Sequence, residues 1–141
     1  MSRQQSVTHE YVEYIPEKLQ SGILYISLKY KTASHLCCCG CGNKVVTPLN
    51  AAKWGLTDHG KSVSLFPSIG NWSFPCKSHY WISHSLIKWE AAMSDRQIAH
   101  VRRMDHADAE LYASTEDNES QHQVSTNIIS QLWVWVRNWF K

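Results

Sequence analysis

The sequence has no long apolar run and no strong excess of either charge. Its 141 residues carry 14 Lys and Arg against 12 Asp and Glu, which gives a formal net charge of +2. Nucleic-acid-binding proteins usually concentrate basic residues on one face, and the longest basic cluster here is Arg102-Arg103. No apolar segment approaches the roughly 18 residues of a membrane span. We therefore expect no nucleic-acid partner and no transmembrane segment.

The N-terminal segment also lacks the apolar core of a secretory signal peptide. Its first five residues, from Met1 to Gln5, are mostly polar, so we expect a cytoplasmic location. In that reducing compartment, clustered cysteines are more typical of metal binding or catalysis than of disulfides. The length suits one globular domain with a tail.

Four of the five cysteines cluster in a pattern typical of a metal-binding loop. They fall within five residues, at Cys37, Cys38, Cys39 and Cys41. Gly40 and Gly42 give this segment the backbone freedom to fold around a metal. Adjacent cysteines rarely meet the Cα separation of about 4.4–6.8 Å that a disulfide needs, and an odd total leaves one thiol unpaired. We expect a zinc site, with free buried thiols as the main alternative.

A second segment completes the predicted zinc site. Cys76 lies three residues before His79, and zinc takes thiolate and imidazole ligands in tetrahedral geometry. The preferred ligand set is Cys39, Cys41, Cys76 and His79, and Cys37 is the fifth candidate. The residues leave open whether the zinc is structural, with four protein ligands, or catalytic, with three ligands and a water.

A catalytic zinc would need a general base, usually a nearby carboxylate. Acidic residues are few before the helical region: Glu10, Glu13, Glu17, Asp58 and Glu90. No HExxH motif occurs, and Pro75–His79 matches only the second half of the nucleobase-deaminase signature. The shortage of acidic bases favours a non-catalytic zinc module.

The hydrophobic pattern predicts an α+β fold: a small zinc-stapled antiparallel β domain followed by C-terminal helices. Residues 1–12 are expected to be loosely ordered, 13–90 to form the zinc-binding β domain, 91–113 a helix, 114–124 a linker and 125–141 an aromatic amphipathic helix. The predicted strands are 23–28, 44–47, 62–66, 79–82 and 86–89, the last two joined as a hairpin. Ser94 and Gln97 form a capping box at the start of the first helix. The aromatic helix should pack against the core, another subunit or a partner.

The segment Pro67–Asn71 is predicted to be a loop that could hold a catalytic serine. A serine between proline and glycine can be kept exposed, so Ser68 is a candidate nucleophile, and Asn71 or a backbone N–H could stabilise an oxyanion. His35, beside the cysteine cluster, or His79 could act as the base, and His35 is the one we assign with Ser68. The alternative is a plain surface turn in which Ser68 caps backbone groups, and the residues alone favour that turn.

Three strings in this order resemble a bacterial family known as domain of unknown function 6527. They are the cysteine-rich segment His35–Gly42, the segment Val63–Asn71 and the segment Cys76–Ile82. The resemblance covers roughly residues 13–90, and the sequence departs from it at Cys38. The family often accompanies bacterial ubiquitin-like modifiers and their E1- and E2-like enzymes, which are the partners that the resemblance implies.

The resemblance implies a zinc-containing peptidase or isopeptidase that processes or removes a ubiquitin-like protein. In this hypothesis the loop and the His79 strand border a groove for an extended peptide, with Ser78, Asn71 and Trp72 as binding residues. The alternative is a non-catalytic zinc adaptor that recognises the modifier or its conjugating enzymes.

Overall fold

The computed structural model describes residues 2–116, and within them it confirms the α+β class. Eight strands precede one helix: β1 Thr8–Tyr11, β2 Ile23–Ser27, β3 Thr32–Leu36, β4 Lys44–Pro48, β5 Gly55–Asp58, β6 Val63–Gly70, β7 His79–Ser83 and β8 Leu86–Trp89, followed by helix α1 from residue 95 to residue 116.

The strands form two four-stranded sheets with simple orders. One sheet runs β1-β2-β3-β4 and the other runs β5-β6-β7-β8. Strand β1 pairs with β2 in parallel, whereas the other neighbouring pairs are antiparallel. Since each strand pairs with its neighbour in sequence within its sheet, the chain builds one sheet and then the other.

Both sheets contribute to a single core. Its buried apolar residues come from strands of each sheet, namely Leu24, Ile26, Ala33, Val45, Val63, Leu65, Ile69, Tyr80, Ile82 and Ile87. On β4 burial alternates along the strand, with Val45 and Thr47 inside, as expected for a strand with one covered face. This shared core brings the β3–β4 connection close to the β6–β7 connection.

Three strands were not expected from the sequence. Strand β1 has little apolar character and lies within the segment predicted to be loosely ordered, yet it pairs with β2 through four residues. Strand β3 is buried although three of its five residues are polar, and β5 is short and mostly exposed. Strand β6 continues to Gly70, through residues predicted to be loop.

The β7–β8 hairpin and the helix start follow the prediction. The hairpin turns at His84 and Ser85, which have positive φ values of 50° and 61°. The Ser94 N–H donates to Gln97 Oε1 at 2.9 Å, and the Gln97 N–H donates to Ser94 Oγ at 3.4 Å, which is the reciprocal pattern of a capping box. Helix α1 includes residues 114–116, which were predicted to begin the linker.

The chain divides into two compact units, Met1–Arg102 and Arg103–Lys141. The first holds all eight strands. In the second, the described residues are helical, and His106 Nδ1 lies 3.4 Å from Glu110 Oε1, one turn along. The rest of the predicted linker and the predicted aromatic helix lie outside the described residues. Between residues 2 and 116, no helix has the length and apolar character to cross a membrane.

Candidate active site and metal centre

Four cysteine sulfurs converge where the two connecting loops meet. Cys37, Cys39 and Cys41 come from the β3–β4 connection and Cys76 from the β6–β7 connection, and all four Sγ atoms lie within 4.8 Å of one another. Measured Sγ–Sγ distances are 3.4 Å for Cys37–Cys39, 3.9 Å for Cys37–Cys76 and 3.8 Å for Cys41–Cys76. A tetrahedral zinc with Zn–S bonds of about 2.3 Å would place its sulfurs about 3.8 Å apart. The four thiols therefore fit such an ion in both number and spacing.

The backbone of the cysteine loop is shaped for this convergence. Gly40 and Gly42 have φ values of 87° and 82°, in the left-handed region that favours glycine. The loop is closed by the Cys37 N–H, which donates to the Asn43 carbonyl at 2.8 Å, and by the Gly40 N–H, which donates to the Cys37 carbonyl at 3.1 Å. The glycines thus let three cysteines of one short segment face the same point.

Polar groups around the sulfurs would stabilise thiolates. The Asn43 side-chain amide donates to Cys41 Sγ at 3.2 Å, and Ser78 Oγ lies 3.0 Å from Cys37 Sγ. Burial opposes ionisation of Cys41, but hydrogen bonds from Asn43 and the neighbouring thiols lower its pKa to about 7. At Cys37 burial dominates and raises the pKa, so this thiol needs a nearby cation in order to ionise.

The structure groups Cys37 with the other three cysteines and leaves His79 and Cys38 outside the group. His79, one of the expected zinc ligands, instead places Nε2 at 2.9 Å from Ser68 Oγ. Cys38 is completely buried in the apolar core, and burial raises its pKa to about 12. It therefore behaves as a small apolar residue rather than as a ligand.

An irregularity in strand pairing presents Ser68 to His79. Leu65 pairs with Ile82, but Ile69 pairs with Tyr80, so three residues of β6 stand opposite Trp81 alone. Such a bulge redirects side chains and is common next to active sites. Ser68 lies in this bulge, and it is half-buried.

The sheet register explains how the histidine reaches the serine. His79 is directly opposite Gly70, and residues two apart on a strand share a face. Ser68 is therefore the diagonal neighbour of His79, within reach of a long side chain. Because Gly70 has no side chain, the Trp72 ring occupies the space over it, beside the imidazole.

Trp72 packs against the ring of His79. Its ring centroid lies 5.0 Å from that of His79, at an interplanar angle of 63°. A Cβ on Gly70 would approach Trp72 Cε2 to 2.3 Å, which is closer than side chains tolerate. The Nδ1 atom of His79 is buried and has no hydrogen-bond partner among the described residues. The imidazole is thus held by ring packing and by Ser68 rather than by a carboxylate.

We expect Gly70→Ala to destabilise the protein by about 1–3 kcal/mol, the usual effect of overpacking. Thermal unfolding of the purified variant measures this change. Gly55→Ala is the matched control, because its added Cβ would meet nothing nearer than the Phe66 carbonyl oxygen at 3.9 Å. Equal melting temperatures for the two variants would contradict the close packing of Trp72 on Gly70.

His35, the residue assigned as the base, lies in a different environment. It is 1% exposed, and its Nε2 is hydrogen-bonded to Tyr80 Oη at 2.8 Å. Burial lowers its pKa to about 4, so it stays neutral near pH 7. The hydrogen bond of Ser68 is to His79, and His35 instead joins β3 to β7 inside the core.

The three expected binding residues divide between two roles. The Asn71 side-chain amide donates to Ser78 Oγ at 2.9 Å and to Tyr80 Oη at 3.4 Å, and Ser78 in turn contacts Cys37. Asn71 is therefore engaged between the cysteine cluster and the core. Trp72 lines an open cleft. No sequence pattern signalled the Ser68–His79 pair, because it depends on the β6–β7 register and its bulge.

Comparison with known protein families identifies the family of this chain. Residues 11–90 match the model of a family described as the bacterial ubiquitination-like system serine protease, BubE. The match covers more than half of the chain, so the chain belongs to this family. Its description agrees with the predicted association with a bacterial ubiquitin-like system, although it does not bear the name of domain of unknown function 6527. Searches of curated proteins and of solved structures returned no significant match.

Proposed function

We propose that this BubE-family chain is a serine peptidase in which Ser68 is the nucleophile and His79 the general base. The observation that supports it is the 2.9 Å hydrogen bond between Ser68 Oγ and His79 Nε2, the geometry that activates a serine hydroxyl. The proposed substrate is a ubiquitin-like protein, cleaved in its precursor or from a conjugate, and E1- and E2-like enzymes are the proposed further partners.

The two side chains would carry out acyl transfer in two steps. As Ser68 Oγ attacks the scissile carbonyl, its proton passes to His79 Nε2. The same proton then goes to the leaving amine as the C–N bond breaks and an acyl-serine remains. A water molecule, deprotonated by His79, then attacks the ester, and the proton returns to Ser68 as the acid product leaves.

The cysteine cluster would hold a structural zinc ion. Four thiolates occupy every position of a tetrahedral ion and leave none for a reacting water. When bound, the ion supplies rigidity, because it would tie the β3–β4 connection to Cys76. Cys76 is three residues from His79, so this anchor would fix the first residue of β7 and with it the position of the base.

A non-catalytic adaptor remains the second candidate function. The observation that favours it is the buried Nδ1 of His79, which has no acceptor among the described residues. In well-known triads a carboxylate at this position stabilises the imidazolium. An adaptor would bind the modifier tightly without cleaving it.

A fluorophosphonate probe, which phosphonylates activated serines, distinguishes the two functions. We expect stoichiometric labelling of the zinc-loaded full chain, mapped to Ser68 by mass spectrometry, and loss of labelling in His79→Ala. The same protein should cleave a ubiquitin-like precursor encoded beside it. Tight binding of the precursor with neither labelling nor cleavage would establish the adaptor and refute the peptidase.

We expect His35→Ala to act on stability rather than on the dyad. The change removes a buried side chain and leaves the Tyr80 hydroxyl without this partner, which should lower the free energy of unfolding by about 2–4 kcal/mol. Fluorophosphonate labelling of Ser68, measured well below the melting temperature, should persist. Loss of labelling in a folded, zinc-loaded His35→Ala protein would show that His35 takes part in activating Ser68.

A further inference from the structure

The half of β6 that carries Ser68 is uncovered on one side. Strand β5 pairs with β6 only from Val63 to Phe66, while β6 continues to Gly70. On the other side β7 pairs with Ile69 and Gly70. Among the strands between residues 2 and 116, none pairs with residues 67–70 on the β5 side. Pro67 fits this placement, since proline within sheets is confined to edges and bulges.

A second free strand edge faces the same space. Strand β4 is the last strand of its sheet, and Val45, Val46 and Thr47 line a cleft together with Ile69 and Gly70. The cleft has a volume of about 170 Å³, and its walls therefore include β4, an edge strand, and the part of β6 that β5 leaves unpaired. An extended chain can form backbone hydrogen bonds with such edges, whereas a helix cannot.

An apolar groove adjoins this cleft beside the serine. It has a volume of about 440 Å³, and its apolar lining comes from Leu49, Ala51, Trp54, Leu56, Phe66 and Pro67. Trp54 lines both the groove and the cleft. Phe66 is 68% exposed, although it lies only two residues before Ser68. Large exposed apolar side chains next to a reactive group are typical of a recognition surface.

We propose that the peptide substrate binds as an added β-strand along residues 67–70 and places one apolar side chain in the groove of Trp54, Leu56 and Phe66. This inference rests on the proposed function, because it takes Ser68 as the nucleophile. Backbone pairing holds the scissile carbonyl beside the hydroxyl, and the groove sets the register. The favoured substrate segment is therefore extended and unfolded, with an aliphatic residue near the cleaved bond.

Peptide binding to the zinc-loaded full-length Ser68→Ala protein tests the proposal without any cleavage. The probes are capped octapeptides of Thr and Ser that carry a single Leu, Ala or Lys at the third position. Titration is followed by amide NMR shifts. We expect the Leu peptide to shift the amides of residues 68–70 and to bind about tenfold more tightly than the Ala peptide, which is the scale of aliphatic discrimination in an apolar pocket. In an added strand, every second peptide amide faces the protein edge and the intervening amides face away. N-methylation of the amides that face the edge should weaken binding, and N-methylation of the intervening amides should not.

A matched pair of variants locates the groove. Phe66→Ala in the Ser68→Ala protein should weaken the Leu peptide about tenfold. Leu86→Ala, which removes another exposed apolar side chain from a different strand, should leave binding unchanged. The proposal would be overturned if the Leu and Lys peptides bound equally well, if the amides of residues 68–70 did not shift, or if N-methylation had no effect on affinity. If the fluorophosphonate probe labels Ser68 but the peptides do not pair with β6, only this inference is refuted. If the peptides pair with β6 but Ser68 is not labelled, only the peptidase proposal is refuted.

Discussion

Ser68→Ala is expected to reduce cleavage of the ubiquitin-like precursor by about 10⁴-fold or more. Removal of a nucleophilic serine leaves only the catalysis due to binding and to charge stabilisation, and losses of up to about 10⁶-fold are known. His79→Ala should cause a similar loss, because the two residues act as one unit and their effects are not additive. The measurement is initial rates of product formation, resolved by mass spectrometry.

Zinc content and melting temperature are the controls for these variants. Both should match the unsubstituted protein, since Ser68 and His79 are only half-buried and neither belongs to the cysteine group. A Ser68→Ala protein that retains full activity, but loses it on mild chelation before unfolding, would show that a metal-activated water performs the reaction and that the serine mechanism is wrong.

Loss of one zinc ligand is expected to remove most of the fold. Structural zinc binding contributes about 10–16 kcal/mol in small domains, whereas a typical domain is stable by only about 5–15 kcal/mol in total. We expect Cys41→Ser and Cys76→Ser to contain less than one zinc ion per chain and to show no cooperative unfolding transition. Metal analysis and thermal unfolding of protein purified without added zinc measure both effects.

Cys38→Ala is the matched control for the ligand variants. Cys38 lies within the same cluster of sequence, but it is buried in the apolar core. We expect one zinc ion per chain and a loss of only about 1–2 kcal/mol. Substoichiometric metal in the unsubstituted protein, together with an unchanged melting temperature for Cys41→Ser, would contradict the structural zinc site.

The sequence was sufficient for features that depend on residues close together in the chain. Gly40 and Gly42 predicted a tight cysteine loop, since only a few backbone conformations bring Cys37, Cys39 and Cys41 to one point. The capping box at Ser94 and the β7–β8 hairpin formed as predicted because both depend on local hydrogen bonds and turn geometry. The α+β class followed from the change of hydrophobic period after Trp89.

Tertiary structure alone decided which side chains meet. The sequence offered Cys37 and His79 as competing ligands, and it offered His35 and His79 as competing bases. The strand register places His79 opposite Gly70 and diagonal to Ser68. His35, by contrast, is buried and hydrogen-bonded to Tyr80. A bulge shifts every later pairing between two strands, and it depends on the contacts of both strands at once. No local pattern around Ser68 or His79 carries that information, so their pairing had to come from the folded sheet.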